Sequence, residues 1–265
     1  MTERAESTPT FPTGTFAPAA GRGRLSTMLA TQARIETALA LRNGEQVLLT
    51  LLIPLALLLG LTLTTIVPMP APRVDSVTPR IFALAIMSSA FTGQAIALGF
   101  DRRYGVLKRL AATALPRWLL VAGRITARLA VVVVQLVLLG VAAAILGWAP
   151  RAAGVVPAVL LVLLGTLAFG ALGVLLGGSL RAEIVLAVAN LVWLVLLFAG
   201  GIVLAKSALP AAMVDVVNLL PSGALAEGLR TALVDGRFPG WQPFAVLAGW
   251  GVVAGALASA TTKLD

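Results

Sequence analysis

Residues 155–177 read VVPAVLLVLLGTLAFGALGVLLG, an apolar run without a single charged side chain. A helix needs roughly 20 mostly apolar residues to cross the hydrocarbon core of a bilayer, and this run is long enough. Further stretches of similar character occur at residues 47–67, 81–100, 129–148, 184–204 and 244–261. The sequence therefore predicts an all-α membrane protein with six transmembrane helices.

The composition supports a lipid-facing protein. Of the 265 residues 59% are hydrophobic and only 12% are charged, whereas soluble domains have about 45–50% and about 25%. The chain has no cysteine and no histidine, which removes thiolate and imidazole metal ligands and the usual general base. The net charge of +9 fits arginines held on the cytoplasmic side of a membrane, so no nucleic-acid partner is expected.

The Lys and Arg residues indicate how the chain is oriented. With the N-terminus in the cytoplasm, 14 of the 20 fall on cytoplasmic segments and six outside. The positive-inside rule then predicts both termini in the cytoplasm of a bacterial cell, with the chain in the inner membrane. Residues 1–24 are predicted to be a disordered cytoplasmic tail, and residues 25–265 a single membrane domain. Leu25–Asn43 is predicted to be an interfacial helix, with a juxtamembrane linker as the alternative. Its apolar face holds Leu25, Met28, Leu29 and Leu39, and is interrupted by Gln32 and Glu36.

The external segment 205–241 is neither fully apolar nor very polar. Its apolar runs Val214–Leu220 and Ala224–Val234 are too short to span a membrane. They favour two short re-entrant or interfacial helices between the fifth and sixth spans; a folded external loop is the alternative.

Inside the predicted spans there is no charged residue away from the ends, and the main amide side chains are Gln94, Gln135 and Asn190. They lie either along a substrate path or in hydrogen bonds between helices, and the second role is the commoner one. The chain has no Walker-type phosphate loop, no catalytic residues are expected, and energy for transport must come from another subunit.

The loop after the second span reads DRRYGVLKRLAATALPR over residues 101–117. In a helix, Leu107 and Leu110 share an apolar face while Arg102 and Arg109 project from the opposite one. This pattern predicts a short amphipathic helix on the cytoplasmic surface. Positive-inside anchoring alone is the alternative.

This loop resembles that of the ABC-2 class of ABC transporter membrane subunits, especially the daunorubicin-type drug-resistance permeases of actinobacteria. Their pattern is acidic–Arg–x–x–Gly–x–Leu–(Lys/Asp)–Arg–Leu–x–x–Thr–Pro–(Leu/Val). The chain matches it at Asp101, Arg102, Gly105, Leu107, Lys108, Arg109, Leu110, Thr113 and Leu115. It departs by having Asp101 where Glu is usual and Ala114 where Pro is usual. Weaker matches occur at residues 180–183 and 220–225, and the resemblance covers about residues 25–262.

The resemblance implies that the loop is a coupling helix docked in a groove of a separate ABC ATPase, which binds the ATP and magnesium. The residues implied in coupling are Asp101, Arg102, Arg103, Gly105, Leu107, Arg109 and Leu110. It also implies a second copy of the permease or a homologous one as partner, and export of a bulky amphiphilic compound such as a drug or lipid. The alternatives are a self-sufficient secondary transporter and a membrane scaffold without transport.

Overall fold

The protein is helical throughout the part that the computed structural model describes, which comprises residues 24–42, 44–106, 109, 117–202 and 211–261. No β-strand occurs in these ranges, so the predicted all-α class is confirmed. Apart from Arg24, the predicted tail lies outside the described residues, and so do Leu107 and Leu110 of the predicted coupling helix.

Ten α-helices are described along the chain. They are α1 (Leu25–Arg42), α2 (Gly44–Leu63), α3 (Arg73–Met87), α4 (Gly93–Arg103), α5 (Arg117–Ile145), α6 (Val155–Ser179), α7 (Ala182–Ala199), α8 (Ala211–Leu219), α9 (Pro221–Leu233) and α10 (Gln242–Thr261). A five-residue π-helical segment, Ser88–Thr92, joins α3 to α4. A short 3₁₀ turn, Ala152–Gly154, leads into α6.

A central helix runs through the bundle. Together α3, the π segment and α4 form one continuous helix, Arg73–Arg103, whose most apolar part is 83% buried. The corresponding parts of α5, α6, α7 and α10 are only 17–33% buried. Because its neighbours surround the central helix, they present their own apolar side chains to the outside of the bundle, as helices in lipid do.

Five described helical stretches are long and apolar enough to cross a membrane: the central helix and one each on α5, α6, α7 and α10. The first predicted span, residues 47–67, falls on α2, which is apolar from Thr50 to Leu63. The structure thus supports a multi-pass membrane protein with five candidate spans, and the sixth stays a prediction.

Two helices extend beyond their predicted spans. The predicted second span, residues 81–100, lies inside a helix that starts at Arg73, and the predicted third span, residues 129–148, lies on a helix that starts at Arg117. The added turns of α5 are more polar, and α1 packs along them. Gly123 permits this packing, because a Cβ there would lie only 2.5 Å from the side chain of Gln32.

The two short helices predicted between the last spans are present as α8 and α9. Pro221 opens α9 at a position where its missing N–H leaves no bond unmade. Trp250, near the middle of α10, donates a hydrogen bond to the carbonyl of Leu219 at 2.9 Å. Leu225 packs on Gly165, near the middle of α6. The turn between α8 and α9 therefore lies level with the middle of both long helices, and α9 then runs back beside α6.

The bundle has two ends. At the Arg102 end α4 and α6 finish while α5 and α7 begin; at the Arg230 end α9 finishes beside the turn that leads into α6. At the latter, Arg151 donates a 2.8 Å hydrogen bond to the carbonyl of Val234. There too, Arg73 donates to the carbonyls of Leu61 and Val67 and so joins the end of α2 to α3.

Candidate functional site at the Arg102 end

Three consecutive charged residues end α4, and each reaches a different helix. Asp101 accepts a 2.5 Å hydrogen bond from the guanidinium of Arg124 on α5. Arg102 donates from Nη1 to backbone carbonyls at the end of α6, and Arg103 pairs with Glu183 at the start of α7. Successive residues of an α-helix point about 100° apart. A charged triplet can therefore face three neighbours at once, and we call Asp101-Arg102-Arg103 the junction triplet.

Arg102 caps α6. Its Nη1 lies 3.1 Å from the carbonyl oxygen of Gly177 and 3.3 Å from that of Leu180. The last carbonyls of a helix lack partners within the helix and carry the negative end of its dipole, so a guanidinium is favourable there. The residue therefore fixes the end of α6 to the end of α4.

Arg103 and Glu183 form an ion pair at the surface, with side chains 50% and 63% exposed. Glu183 lies in the first turn of α7, where a negative charge favours the helix. Exposed pairs contribute little to stability, roughly 0–1 kcal/mol. The pair is better suited to setting the relative position of α4 and α7 than to holding the fold together.

The N-terminal helix joins the same site through Arg124. Its Nε lies 3.9 Å from a carboxylate oxygen of Glu36 on α1, while its Nη2 binds Asp101. Gln32, one turn earlier on α1, donates to Glu36 at 3.1 Å. Gln32 and Glu36 interrupt the apolar face of α1, and in the structure both face α5: Glu36 lies near Arg124, and Gln32 packs on Gly123. Leu25 and Leu39, predicted on that face, are exposed.

A second arginine of α5, Arg128, forms a hydrogen bond with Gln94. Arg128 donates from Nε to Oε1 of Gln94 at 3.0 Å and from Nη2 to the carbonyl of Gly93 at 3.4 Å. Because α5 starts earlier than the predicted third span, Arg124 and Arg128 lie within a candidate span. The predicted boundaries had placed both arginines outside the spans.

The other two amides lie in different surroundings. Gln135 is buried and bonds to Ser89 at 2.5 Å and to Thr50 at 3.0 Å, so it joins α5 to the central helix and to α2. Asn190 lies in the middle of α7 with its side chain exposed on the outside of the bundle. Gln94 and Gln135 thus take part in bonds between helices, and a role in a substrate path stays a prediction for all three.

The helix α4 ends just after the triplet. Gly105 takes φ +67°, a left-handed conformation that glycine adopts without strain. Its N–H donates to the carbonyl of Arg102 at 3.2 Å. Arg109 is exposed, and its backbone N–H and guanidinium bond back to the carbonyls of Gly105 and Tyr104. Of the predicted coupling helix, residues 107, 108 and 110–114 lie outside the described residues, and its docking on an ATPase stays a prediction.

Close backbone packing holds α4 against α6. A Cβ at Gly173 would lie 2.8 Å from the carbonyl oxygen of Phe91, and one at Gly177 would lie 2.5 Å from that of Ala95. Gly173 and Gly177, four residues apart, therefore mark a close contact between helices of this chain. Gly251 and Gly255 have the same spacing, but a Cβ at Gly255 meets no described atom within 4 Å, so this pair marks no contact as close.

Sequence reasoning missed four partners of the site: Glu36, Arg124, Arg128 and Glu183. The polar break in the apolar face of α1 was the one local signal, and it pointed to Glu36. Among the described residues, no cluster of three or more Asp or Glu side chains is placed to hold a metal ion.

A helical bundle with apolar outer surfaces around a buried central helix defines a multi-pass membrane protein. Residues 29–234 match the family model of the ABC-2 type transporter, and the chain belongs to that family. No curated protein matches it. The chain is the membrane permease component of an ABC transporter; such components are not themselves catalytic and typically work with an ATPase subunit.

Proposed function

We propose that this chain is the permease of an ATP-driven exporter whose ATPase is a separate polypeptide. It would move a bulky amphiphilic compound, drug-like or lipid, out of the cytoplasm or the inner leaflet of a bacterial inner membrane. In this proposal the Arg102 end is cytoplasmic, both termini lie on that side, and two permease copies (or two homologues) form the complete pathway. The drug-resistance permeases of actinobacteria are the subfamily proposed.

The observation that carries the proposal is the junction triplet. Asp101, Arg102 and Arg103 begin the segment that resembles a coupling helix, and they contact α5, α6 and α7. If an ATPase displaced that segment, the existing contacts of the triplet would transmit the displacement to α5, α6 and α7. The resemblance implies that Arg102 and Arg103 are coupling residues, and their partners within the chain favour a role in passing movement from the coupling segment to α6 and α7.

The hairpin of α8 and α9 fits the same proposal. Its turn lies level with the middle of α6 and α10, and α9 is largely buried between the central helix, α6 and α10. We propose that the hairpin is re-entrant from the outer side. Backbone that is helical and surrounded by protein is acceptable at membrane depth.

The first test is purification of the tagged chain from its native membranes in mild detergent, followed by an ATPase assay. A P-loop ATPase that co-purifies in equal amounts, with nucleotide hydrolysis, supports the proposal. A chain that purifies alone and hydrolyses nothing contradicts it and favours a secondary transporter or a scaffold.

A matched pair of glycine substitutions sharpens this test. Gly105 at φ +67° and Gly147 at φ +93° both need the left-handed conformation, and at both an added Cβ meets no described atom within 4 Å. Valine at either position should lower the free energy of unfolding by about 1–2 kcal/mol. Only Gly105→Val, which distorts the chain entering the coupling segment, should also lose the co-purifying ATPase. If the Gly105→Val and Gly147→Val variants recover equal amounts of ATPase, the ATPase does not dock through this segment.

A further inference from the structure

The central helix changes its winding halfway along. In the π segment Ser88–Thr92 the N–H of Gly93 donates to the carbonyl of Ser88, five residues back, instead of four. One extra residue in a turn rotates everything that follows by about 100° relative to an unbroken α-helix. The junction triplet lies only a few turns further on, so the π segment sets the direction in which each of its side chains points.

Two adjacent buried serines of this segment bind neighbouring helices. Ser89 donates to Oε1 of Gln135 on α5 at 2.5 Å, and the Nε2 of Gln135 donates to Thr50 on α2 at 3.0 Å. Ser88 accepts a hydrogen bond from the indole N–H of Trp193 on α7 at 2.9 Å. The segment therefore forms hydrogen bonds with α5 and α7, and is linked to α2 through Gln135, in otherwise apolar surroundings.

The remaining neighbour, α6, meets the segment with its backbone. The carbonyls of Ala90 and Phe91 lie 3.1 and 2.8 Å from the place where a Cβ of Gly173 would be. The buried hydroxyl of Thr92 finds no hydrogen-bond partner among the described residues. The helices α5, α6 and α7 therefore contact the central helix both here and at the junction triplet, and the local hydrogen bonding here is irregular.

We propose that Ser88 and Ser89 are positioning residues of the transport cycle. Their hydrogen bonds hold the π segment in the winding that aligns the junction triplet, and they pass movement of α4 on to α5 and α7. π-helical turns within α-helices are frequent at functional sites, where the surrounding contacts keep an irregular turn in place. The inference rests on the proposed function, since it needs an ATPase to move α4.

The test uses the permease purified with its ATPase. The chain has no cysteine, so Ile145→Cys at the end of α5 and Phe198→Cys near the end of α7, both exposed, provide the only thiols for spin labels. The distance between them is measured without nucleotide and with ATP and vanadate. Ser89→Ala should change the ratio of the two distance populations about three- to tenfold, the range for one interhelical hydrogen bond in a membrane protein, while basal ATPase activity stays.

Thr78→Ala is the matched control. The buried hydroxyl of Thr78 lies on the same central helix but donates to the carbonyl of Val74 within it, at 2.8 Å. It should leave the distance populations unchanged. Ser89→Ala and Gln135→Leu share one hydrogen bond, so their effects should not add in the double variant.

The outcomes are distinct. If no ATPase co-purifies, the proposed function fails. If the ATPase is present but nucleotide leaves the distance unchanged in the chain with serine at position 89, or if Ser89→Ala behaves like Thr78→Ala, the inference is overturned. It is overturned as well if Ser89→Ala acts only by lowering the melting temperature, with ATPase activity and distances restored on cooling.

Discussion

The two ends of the bundle use ion pairs in different ways. At the Arg102 end, the partners are far apart in sequence: Arg124 and Asp101 by 23 residues, and Arg103 and Glu183 by 80. At the Arg230 end, Arg230 binds Glu227 and Asp235, three and five residues away, and Arg237 binds Asp235, two residues away. The first set joins separate helices, and the second set stabilises the last turn of α9 and the turn that follows it.

This difference shows where movement can be passed between helices. A pair within one loop keeps its geometry whatever the rest of the bundle does, because both partners move together. A pair between helices either carries one helix along with the other or breaks. By this reasoning the Arg102 end is the place to disturb transport, and the Arg230 end provides the controls for stability.

The largest effect is expected at the contact between α4 and α6. Gly177→Ala would place a Cβ 2.5 Å from the carbonyl oxygen of Ala95 and 3.0 Å from the Cβ of Leu98, so two helix backbones must move apart. Overpacking of this kind should lower the free energy of unfolding by about 2–3 kcal/mol. It should also displace Arg102 from the carbonyls it caps. Thermal unfolding in detergent and transport in cells are the measurements.

Gly170→Ala is the control on the same helix, since a Cβ there meets no described atom within 4 Å. Alanine favours a helix over glycine, so stability should change by less than about 1 kcal/mol and not fall. If the two variants unfold at the same temperature, the backbones of α4 and α6 do not lie as close together as the contact at Gly177 implies.

A smaller effect is expected from Arg124. Leucine at this position leaves the carboxylate of Asp101, only 29% exposed, without its guanidinium and removes the nearby cation from Glu36. The free energy of unfolding should fall by about 1–3 kcal/mol, and protease sensitivity of α1 should rise because its contact with α5 is weakened. Arg237→Leu at the other end removes an arginine that is 77% exposed and should change stability by less than about 0.5 kcal/mol.

If Arg237→Leu destabilises the protein as much as Arg124→Leu does, the contrast between the two ends is wrong. If Arg124→Leu leaves the free energy of unfolding unchanged but makes α1 sensitive to protease, the arginine serves mainly to hold α1 against α5.

Much of the fold follows from hydropathy alone. Apolar runs predicted the helices α6, α7 and α10 nearly to their ends, and the short runs at residues 214–220 and 224–234 predicted α8 and α9. Boundaries failed where a helix continues into polar sequence. Residues 117–128 of α5 carry three arginines and so end an apolar window, but the backbone stays helical because α1 packs along it.

The site was harder to predict than the fold. The sequence singles out the junction triplet by its charge and by its place in a motif, but it does not give the partners. Glu183 and the carbonyls of Gly177 and Leu180 lie 75–80 residues away, and only the packing order of the helices brings them to α4. The π segment left no pattern either, because its serines resemble any small residues of a membrane helix.

The smallest effect is expected from a covalent bond between α4 and α7. A Cβ at Gly99 would lie 3.4 Å from the Cβ of Val185, close to the separation found in disulfides. In the chain without other cysteines, Gly99→Cys with Val185→Cys should form a disulfide on oxidation. Transport should stay unchanged, because Arg103 and Glu183 already make α4 and α7 move together. The measurement is transport before and after oxidation, with the reduced double variant and each single variant as controls.

A block of transport that reducing agent reverses would show that α4 slides against α7 during the cycle. The ion pair between Arg103 and Glu183 would then be a contact that breaks and reforms, and removing it with Arg103→Gln and Glu183→Gln should change the rate of transport with little change in the unfolding temperature. With transport unaffected by the disulfide, the Arg102 end moves as one body. The relative movement must then lie further along the central helix, at or beyond the π segment, where the spin-label distances measure it.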